Sequence, residues 1–312
     1  MPQTDSFLYY GIVLLLVVLA VFLVPVSQAA NNNGPNNKNI SLHTQVNITN
    51  SKPEVLGVLL YQDSNSSLKN ITLSAGNTRI VSCNASLRDW NGYNDIAMAN
   101  ATLWNTLHSQ YNAIDDNNTH YTNPNCTNTG NGVNYTVNYM CNFTVYYYAE
   151  NGTWNCSVNV TDTYNETGIS SGSTVFYPVY ALNVTDGLDF GNVGVGDFSD
   201  NKSANFTNFG NMAINISVEG YGVARGDGLA MNCSLGGNIT VGNIRYSPTD
   251  VDWSLKTNLT SNLAPIANIT ILKQTNPGIQ MTNTSYFQLY IDGTNNPGGN
   301  CSGFITFSAQ AS

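Results

Sequence analysis

Charge is scarce in this sequence of 312 residues: 9% are Asp, Glu, Lys or Arg, with 10 basic side chains against 19 acidic ones. A formal net charge of −9 without any Lys/Arg cluster excludes nucleic acid as a partner, since that affinity comes from neutralising phosphates. None of the 6 cysteines falls in a Cys-x-x-Cys pair, which argues against zinc and redox motifs and for structural bridges in an oxidising space. Histidine is confined to His43, His108 and His120. The literal Gly168-Ile-Ser170-Ser-Gly172 elbow therefore has no downstream base, and it lies in a polar stretch rather than between a strand and a helix. Gly191–Gly196 precedes no helix whose N-terminus would hold a phosphate. The chain reads as no enzyme, with no catalytic residue, cofactor site or metal site assigned.

What the chain has in abundance is strand periodicity. Tyr135, Val137, Tyr139, Cys141, Phe143, Val145 and Tyr147 alternate with polar neighbours, which is a half-buried strand because successive side chains leave opposite faces. Ala149-Glu150-Asn151-Gly152 supplies a turn. Trp154, Cys156, Val158 and Val160 then repeat the pattern. Every cysteine has an Asn-x-Ser/Thr sequon beside it, at Asn84, Asn125, Asn142, Asn155, Asn232 and Asn300. Adjacent strand residues face opposite ways, so an inward half-cystine implies an outward glycan acceptor. Asn134, Asn159, Asn215 and Asn268 are further acceptors. Sequons exceed what the Ser and Thr content gives by chance, and extracellular exposure follows.

Phe7–Val26 is apolar enough to cross roughly 30 Å as a helix, while Pro25, Ser27 and Ala29 resemble a signal-peptidase site. Residues 1–30 are read as a signal peptide or a membrane anchor. No Lys/Arg-Gly site precedes the run, against a type IV pilin. Residues 31–39 (NNNGPNNKN) form a flexible linker. Residues 40–177 and 178–312 are expected as two all-β domains. Strands are expected at Ile40–Thr49, Glu54–Tyr61, Asn70–Ser74 and Thr78–Leu87. Tyr93–Trp104 does not choose between the periods, Leu107–Gly132 and Asn165–Ser173 read as loops, and Thr174–Val184 closes the first domain and runs straight into the second. In the second domain inward faces are expected at Ile214/Ile216/Val218, Leu229/Met231/Cys233/Leu235, Val251/Trp253/Leu255, Ile269/Ile271, Phe287/Leu289/Ile291 and Cys301/Gly303/Ile305/Phe307. Cys233 and Cys301 both face in and would bridge that sandwich.

Cys83 followed by Glu150-Asn-Gly152-Thr-Trp154-Asn-Cys156 resembles the immunoglobulin pattern, in which an Asp-x-Gly-x-Tyr-x-Cys strand bonds to an early cysteine across the sandwich. The resemblance implies a Cys83–Cys156 bridge, which leaves Cys126 for Cys141; four cysteines allow three pairings. Here Trp154 replaces the corner tyrosine and lacks its hydroxyl. Trp90 or Trp104 would be the core tryptophan. Leu188-Asp-Phe190-Gly191-Asn-Val193-Gly-Val-Gly196 with Asn208-Phe-Gly210-Asn211 is similar to the ASH-type immunoglobulin-like opening, a Phe-Gly-x-Val strand before an Asn-x-Gly-Asn corner. Gly191–Asp197 also looks like the start of camelysin-type biofilm fibre proteins. Taken whole, the chain resembles uncharacterised archaeal surface glycoproteins with two tandem immunoglobulin-like sandwiches after an N-terminal hydrophobic helix.

Three short motifs have a bland reading beside a functional one. Arg225-Gly226-Asp227 is an adhesion tripeptide or a polar hairpin. Asp115-Asp116-Asn117-Asn118 with His120 offers oxygens to Ca²⁺ or is a solvated loop lacking the usual glycine and terminal Glu. Tyr146–Tyr148 is sheet packing or a carbohydrate platform. The sequence thus points to a cell-envelope glycoprotein, secreted or anchored through residues 7–26. Its role would be structural coat or adhesive display toward cell-surface protein or glycan partners. Alternatives are a fibre subunit self-assembling by strand exchange and a carbohydrate- or ion-binding module.

Overall fold

The structure, a computed structural model, describes residues 41–63, 70–130 and 132–312. The expected N-terminal helix, the signal or anchor segment and the linker 31–39 lie outside the described residues. No helix among the described residues is long and apolar enough to cross a membrane. The chain forms two compact units, Met1–Ile48 and Thr49–Ser312. In the described part of the first, Ser41–Ile48 has no regular structure. The strand expected over Ile40–Thr49 is therefore not formed within 41–49: alternation alone does not make a strand without a hydrogen-bonding neighbour.

The second unit is all-β, with two separate hydrophobic cores. The first core lies between two antiparallel sheets. Strands β1 (Glu54–Gln62), β2 (Thr78–Arg88), β5 (Thr127–Asn128) and β6 (Thr136–Tyr146) form one, in the order β1-β2-β6-β5. Strands β3 (Ile96–Asn105), β4 (His120–Asn123), β7 (Gly152–Asp162) and β8 (Thr167–Phe176) form the other, in the order β4-β3-β7-β8. Val81, Cys83, Ala85 and Leu87 of β2 face Trp154, Cys156, Val158 and Val160 of β7 across this core, all fully buried. The structure bridges Cys83 to Cys156 between the sheets and Cys126 to Cys141, with Cα separations of 6.5 and 4.4 Å.

Several expectations need correction here. The core tryptophan is Trp154, stacked 4.5 Å over Phe176, and neither Trp90, which is 53% exposed, nor Trp104, which is half-buried. Its position follows from the alternation of β7, which turns Trp154 inward with Cys156. The Trp154 indole N–H donates to the Glu150 carbonyl at 2.8 Å, giving the upstream backbone bond that a corner tyrosine would make. Asn70–Ser74 is not a strand but a single bridge, Ile71 to Phe176. Tyr93–Asp95 is a 3-10 turn leading into β3, and Leu107–Gly132 contains β4 and β5.

The largest error of local reading is β8. Asn-Glu-Thr-Gly-Ile-Ser-Ser-Gly-Ser has the composition of a loop, yet β8 pairs with β7 over ten residue pairs. Its glycines are there because β1 lies against it: a Cβ on Gly168 or Gly172 would collide with the carbonyls of Pro53 or Val58. Tertiary contact overrides propensity, and the Gly-x-Ser-x-Gly elbow is a strand.

The second core lies between β15-β14-β17-β10-β9 and β16-β11-β19, with a small ribbon β13-β12-β18 alongside. These strands are β9 (Leu182–Val184), β10 (Lys202–Asn208), β11 (Ile214–Tyr221), β12 (Leu229–Cys233), β13 (Asn238–Thr240), β14 (Ile244–Ser247), β15 (Thr257–Asn258), β16 (Ala264–Ile271), β17 (Thr282–Leu289), β18 (Cys301–Ser302) and β19 (Phe304–Ala311). Cys233 and Cys301 are joined by a disulfide, but as register partners on neighbouring strands of the ribbon, so the bond does not cross between the two sheets as expected. Ile214, Ile216, Val218, Ile269, Ile271, Phe287, Leu289 and Ile291 are buried. Cys301, Ile305 and Phe307 pack against this core half-buried, but two of the expected faces break down. A register shift between Leu229 and Met231 turns Ala230 inward, and Leu235 lies exposed beyond the strand. Trp253–Leu255 is a 3-10 turn with Leu255 exposed. Leu188–Gly196 is not a strand either; Phe190 alone of that stretch is buried.

Candidate functional site

The sequon asparagines sit on the surfaces of these sheets. Asn125, Asn134, Asn142, Asn232, Asn268 and Asn300 are exposed, and Asn84, Asn155, Asn159 and Asn215 are half-buried. Asn84, Asn142, Asn155, Asn159, Asn215, Asn232 and Asn268 lie on strands beside inward positions, as pleating requires, whereas Asn125 and Asn134 lie outside the strands. Three disulfides among the described residues, with no free cysteine there, place the chain in an oxidising space.

The two cores are joined by a clamp built on the Asn208–Asn211 corner. Asn208 is fully buried. Its Nδ2 donates to the carbonyls of Met212, Ile271 and Leu272 at 2.7, 3.1 and 3.2 Å, and its Oδ1 accepts from the Gly210 N–H at 2.9 Å. Asn211 Oδ1 accepts from the Val179 N–H at 2.6 Å while its Nδ2 donates to the Tyr177 carbonyl at 3.1 Å. Any Cβ on Gly210 would strike the Val179 carbonyl. On the other side the Tyr147 hydroxyl donates to Gln274 Oε1. Lys273 Nζ reaches Glu150 Oε2 at 2.8 Å, Asn118 Oδ1 at 2.6 Å and the Tyr148 carbonyl at 3.1 Å. Tyr147 and Tyr148 are buried in this joint, and Tyr146, half-buried, stacks on Tyr148 at 5.2 Å. Nothing in the sequence marks Lys273 or Gln274 as partners of Glu150 and Tyr147; residues more than a hundred positions apart meet only in the fold.

Arg225-Gly226-Asp227 closes a turn rather than presenting a tripeptide. Asp227 Oδ1 accepts from the N–H groups of Gly222 (3.2 Å) and Leu229 (2.9 Å), and Oδ2 from Val223 (2.7 Å) and Ala224 (3.0 Å). Arg225 Nε lies 3.2 Å from Glu219 Oε1. Hydrogen bonds led by Val223 hold the Asp227 carboxyl down at about 2, against an ordinary 3.8. A depressed folded-state value means the turn's stabilisation is full above pH 3.8 and is lost as pH falls through about 2. An NMR titration should show the Val223, Ala224 and Leu229 amides shifting together with a midpoint near pH 2; a midpoint near 4 would show a free carboxylate.

The Asp115–Asn118 carboxylates are likewise occupied. Asp115 accepts from His120 Nδ1 at 2.7 Å and from Thr122, and Asp116 from the N–H groups of Asn118, Thr119 and His120 and from the Thr119 hydroxyl. Burial pushes the Asp116 carboxyl up, and these bonds outweigh it, holding it below the usual range. A different acidic group, unforeseen in the sequence, forms elsewhere: Asp89, Asp95 and Asp162 bring oxygens within 4.8 Å of one another.

β19 is one of several edge strands among the described residues. β19 pairs with β11 on one side, and no strand among the described residues pairs with the other. The inward side chains of β7, which β8 covers, are 0% exposed; Ile305, Phe307 and Ala309 of β19 are all half-exposed. Beside them lies a cleft of about 270 Å³ lined by Val184, Leu188, Phe190, Ala204, Ile305 and Phe307 among others.

No family model and no curated protein matches the chain. Among solved structures, one similar chain belongs to a chaperone–tip adhesion subunit pre-assembly complex from archaic chaperone-usher Csu pili of Acinetobacter baumannii. The identity is 11%, the TM-score 0.38, and the match covers 77% of this chain and 96% of that one. Another is the C-terminal domain of the AgI/II polypeptide BspA of Streptococcus agalactiae, at 10% identity, TM-score 0.24, and 82% and 96% coverage. A third comes from promiscuous carbohydrate-binding modules of the β-sandwich superfamily, at 10% identity, TM-score 0.23, and 85% and 98% coverage. TM-scores of this size assign neither a family nor an activity.

Proposed function

We propose that this chain is a non-catalytic glycoprotein of the cell envelope whose role is structural: immunoglobulin-like sandwiches held end to end, displaying glycans and loops. The observation that carries this reading is the pairing of bridged, inward half-cystines with outward sequon asparagines in both cores. Strand order supports the immunoglobulin-like part. β1-β2-β6-β5 over β4-β3-β7-β8 follows the A-B-E-D and C′-C-F-G sheets of that fold, with Cys83–Cys156 in place of its B–F bridge. Intact-mass analysis of native protein tests it: the expected result is sugar mass on several sequons and six oxidised cysteines. Unmodified polypeptide with free thiols would end the proposal.

The free edge of β19 favours a second reading, a fibre subunit assembled by strand exchange. β11 and β19 take the places of strands C and F, and no described strand takes the place of G. An extended donor from a second copy would pair with the edge and cover Ile305 and Phe307. Ser41–Ile48 has the required period: Leu42, Val46 and Ile48 share one face of an extended chain and are 81, 81 and 82% exposed. Multimers of the full chain should dissociate to monomers when Leu42, Val46 and Ile48 are replaced by Asp, as read by light scattering. A wild-type chain that is monomeric at all concentrations would sink the fibre reading and leave the coat reading standing.

A further inference from the structure

The three carboxylates of the acidic group come from distant parts of the chain and meet at one end of the first sandwich. Asp89 follows β2, Asp95 ends the 3-10 turn Tyr93–Asp95, and Asp162 is the last residue of β7. Asp89 and Asp162 are 0% and 1% exposed. Burying carboxylates together is costly unless something positive or a hydrogen-bond donor meets each oxygen.

An oxygen-by-oxygen tally shows where donors run out. Asp162 is satisfied: Oδ1 accepts from the Tyr164 and Glu166 N–H groups at 2.9 and 2.8 Å, and Oδ2 from Asn50 Nδ2 at 2.7 Å. Asp89 Oδ1 accepts from the Asn91 N–H at 2.8 Å, and Asp95 Oδ1 accepts from the Thr163 hydroxyl. Asp89 Oδ2, Asp95 Oδ2 and Asn50 Oδ1 are buried with no hydrogen-bond partner among the described residues. Three orphaned acceptor oxygens on or beside a cluster of negative charge, and no orphaned donor of the same residues, suit a cation and not an anion. Among the described residues no Lys, Arg or His forms an ion pair with any of the three carboxylates; Arg88, next in sequence to Asp89, pairs with Glu54 instead.

We propose that Asp89, Asp95 and Asp162, with the amide oxygen of Asn50, bind a calcium ion. The donors are all hard oxygens, carboxylate and carbonyl, with no imidazole or thiolate, which disfavours zinc and copper. They come from separate loops without octahedral constraint, which suits the variable six-to-eight coordination of Ca²⁺ better than the strict geometry of Mg²⁺. Such an ion would tie the segment before β1, the β2–β3 connection and the β7–β8 turn together. The Ser51 N–H donating to Asn91 Oδ1 at 2.6 Å already clips the first two. The mechanical consequence is a stiffened pole on the first sandwich, stabilised by mass action as calcium rises.

The test is thermal unfolding of the full chain in chelator, in millimolar Ca²⁺ and in millimolar Mg²⁺. Calcium should raise the melting temperature well beyond magnesium. D89N and D95N should abolish the rise, and each should melt at or above wild type in chelator, because charge repulsion has been relieved. That last effect separates a cation site from a merely structural cluster, whose loss would lower stability under all conditions. D95N, at the less buried position, serves if D89N does not fold, and D115N should keep the full calcium response. Identical wild-type melting in chelator and calcium would overturn the proposal. So would a calcium response that survives in D95N, or one that D115N removes.

Discussion

Replacing Cys83 and Cys156 together by alanine should destabilise the first sandwich by about 4 kcal/mol, because the bridge spans 73 residues and its loss frees the unfolded chain. The Cys126–Cys141 bridge spans 15 residues and should cost about 3 kcal/mol by the same chain-entropy argument. The first value is a lower bound for another reason. Both sulfurs lie at the centre of the core among Val81, Ala85, Leu103 and Val158, so the double variant also leaves a cavity. A fall in melting temperature of roughly 10 °C is expected for a unit of this size, read by calorimetry against the Cys126/Cys141 double variant. Equal shifts for the two pairs would show that loop length does not control their contributions. No shift for Cys83/Cys156 would show that the sheets are not bridged in the native protein.

Asn208→Asp should cost nearly as much as Asn208→Ala, about 2–4 kcal/mol, although it keeps the shape of the side chain. The Asn208 amide nitrogen supplies the donors for the Met212, Ile271 and Leu272 carbonyls, and leaving buried carbonyls unpaired costs about 1–3 kcal/mol each. A carboxylate cannot donate and would add a buried negative charge facing those oxygens. Because the corner also carries Asn211 and its hold on Tyr177 and Val179, the variant should loosen the connection between the cores. Limited proteolysis would then cut within 177–181, and small-angle scattering would show a broader distribution of lengths. An Asp variant as stable as wild type would mean that the three carbonyls find other donors, and that the clamp does not set the stiffness of the pair.

The residues that could be placed from sequence are those whose surroundings are local. β2, β6, β7, β11 and β17 repeat every two residues because pleating puts alternate side chains on opposite faces, and their buried positions follow without any knowledge of partners. The Asn–Cys pairings were legible for the same reason. β8 was not, because glycine and serine disfavour strands and the cause of their use is the carbonyls of Val58 on β1 and of Pro53 just before it, more than a hundred residues earlier. Leu235 and Leu255 carry the apolar character of a core and lie on turns, since a register shift and a 3-10 turn break the period.

What the amino-acid order determined alone is therefore the kind of object: an all-β, cystine-bridged chain, poor in charge. Tertiary structure alone decided that Trp154 rather than Trp90 or Trp104 fills the core, that Lys273 and Asn211 tie one sandwich to the next, that β19 keeps a free edge, and that three distant aspartates converge. Each of these depends on which strand lies beside which, and that is set by long-range pairing and close packing, not by any property a short window of residues possesses.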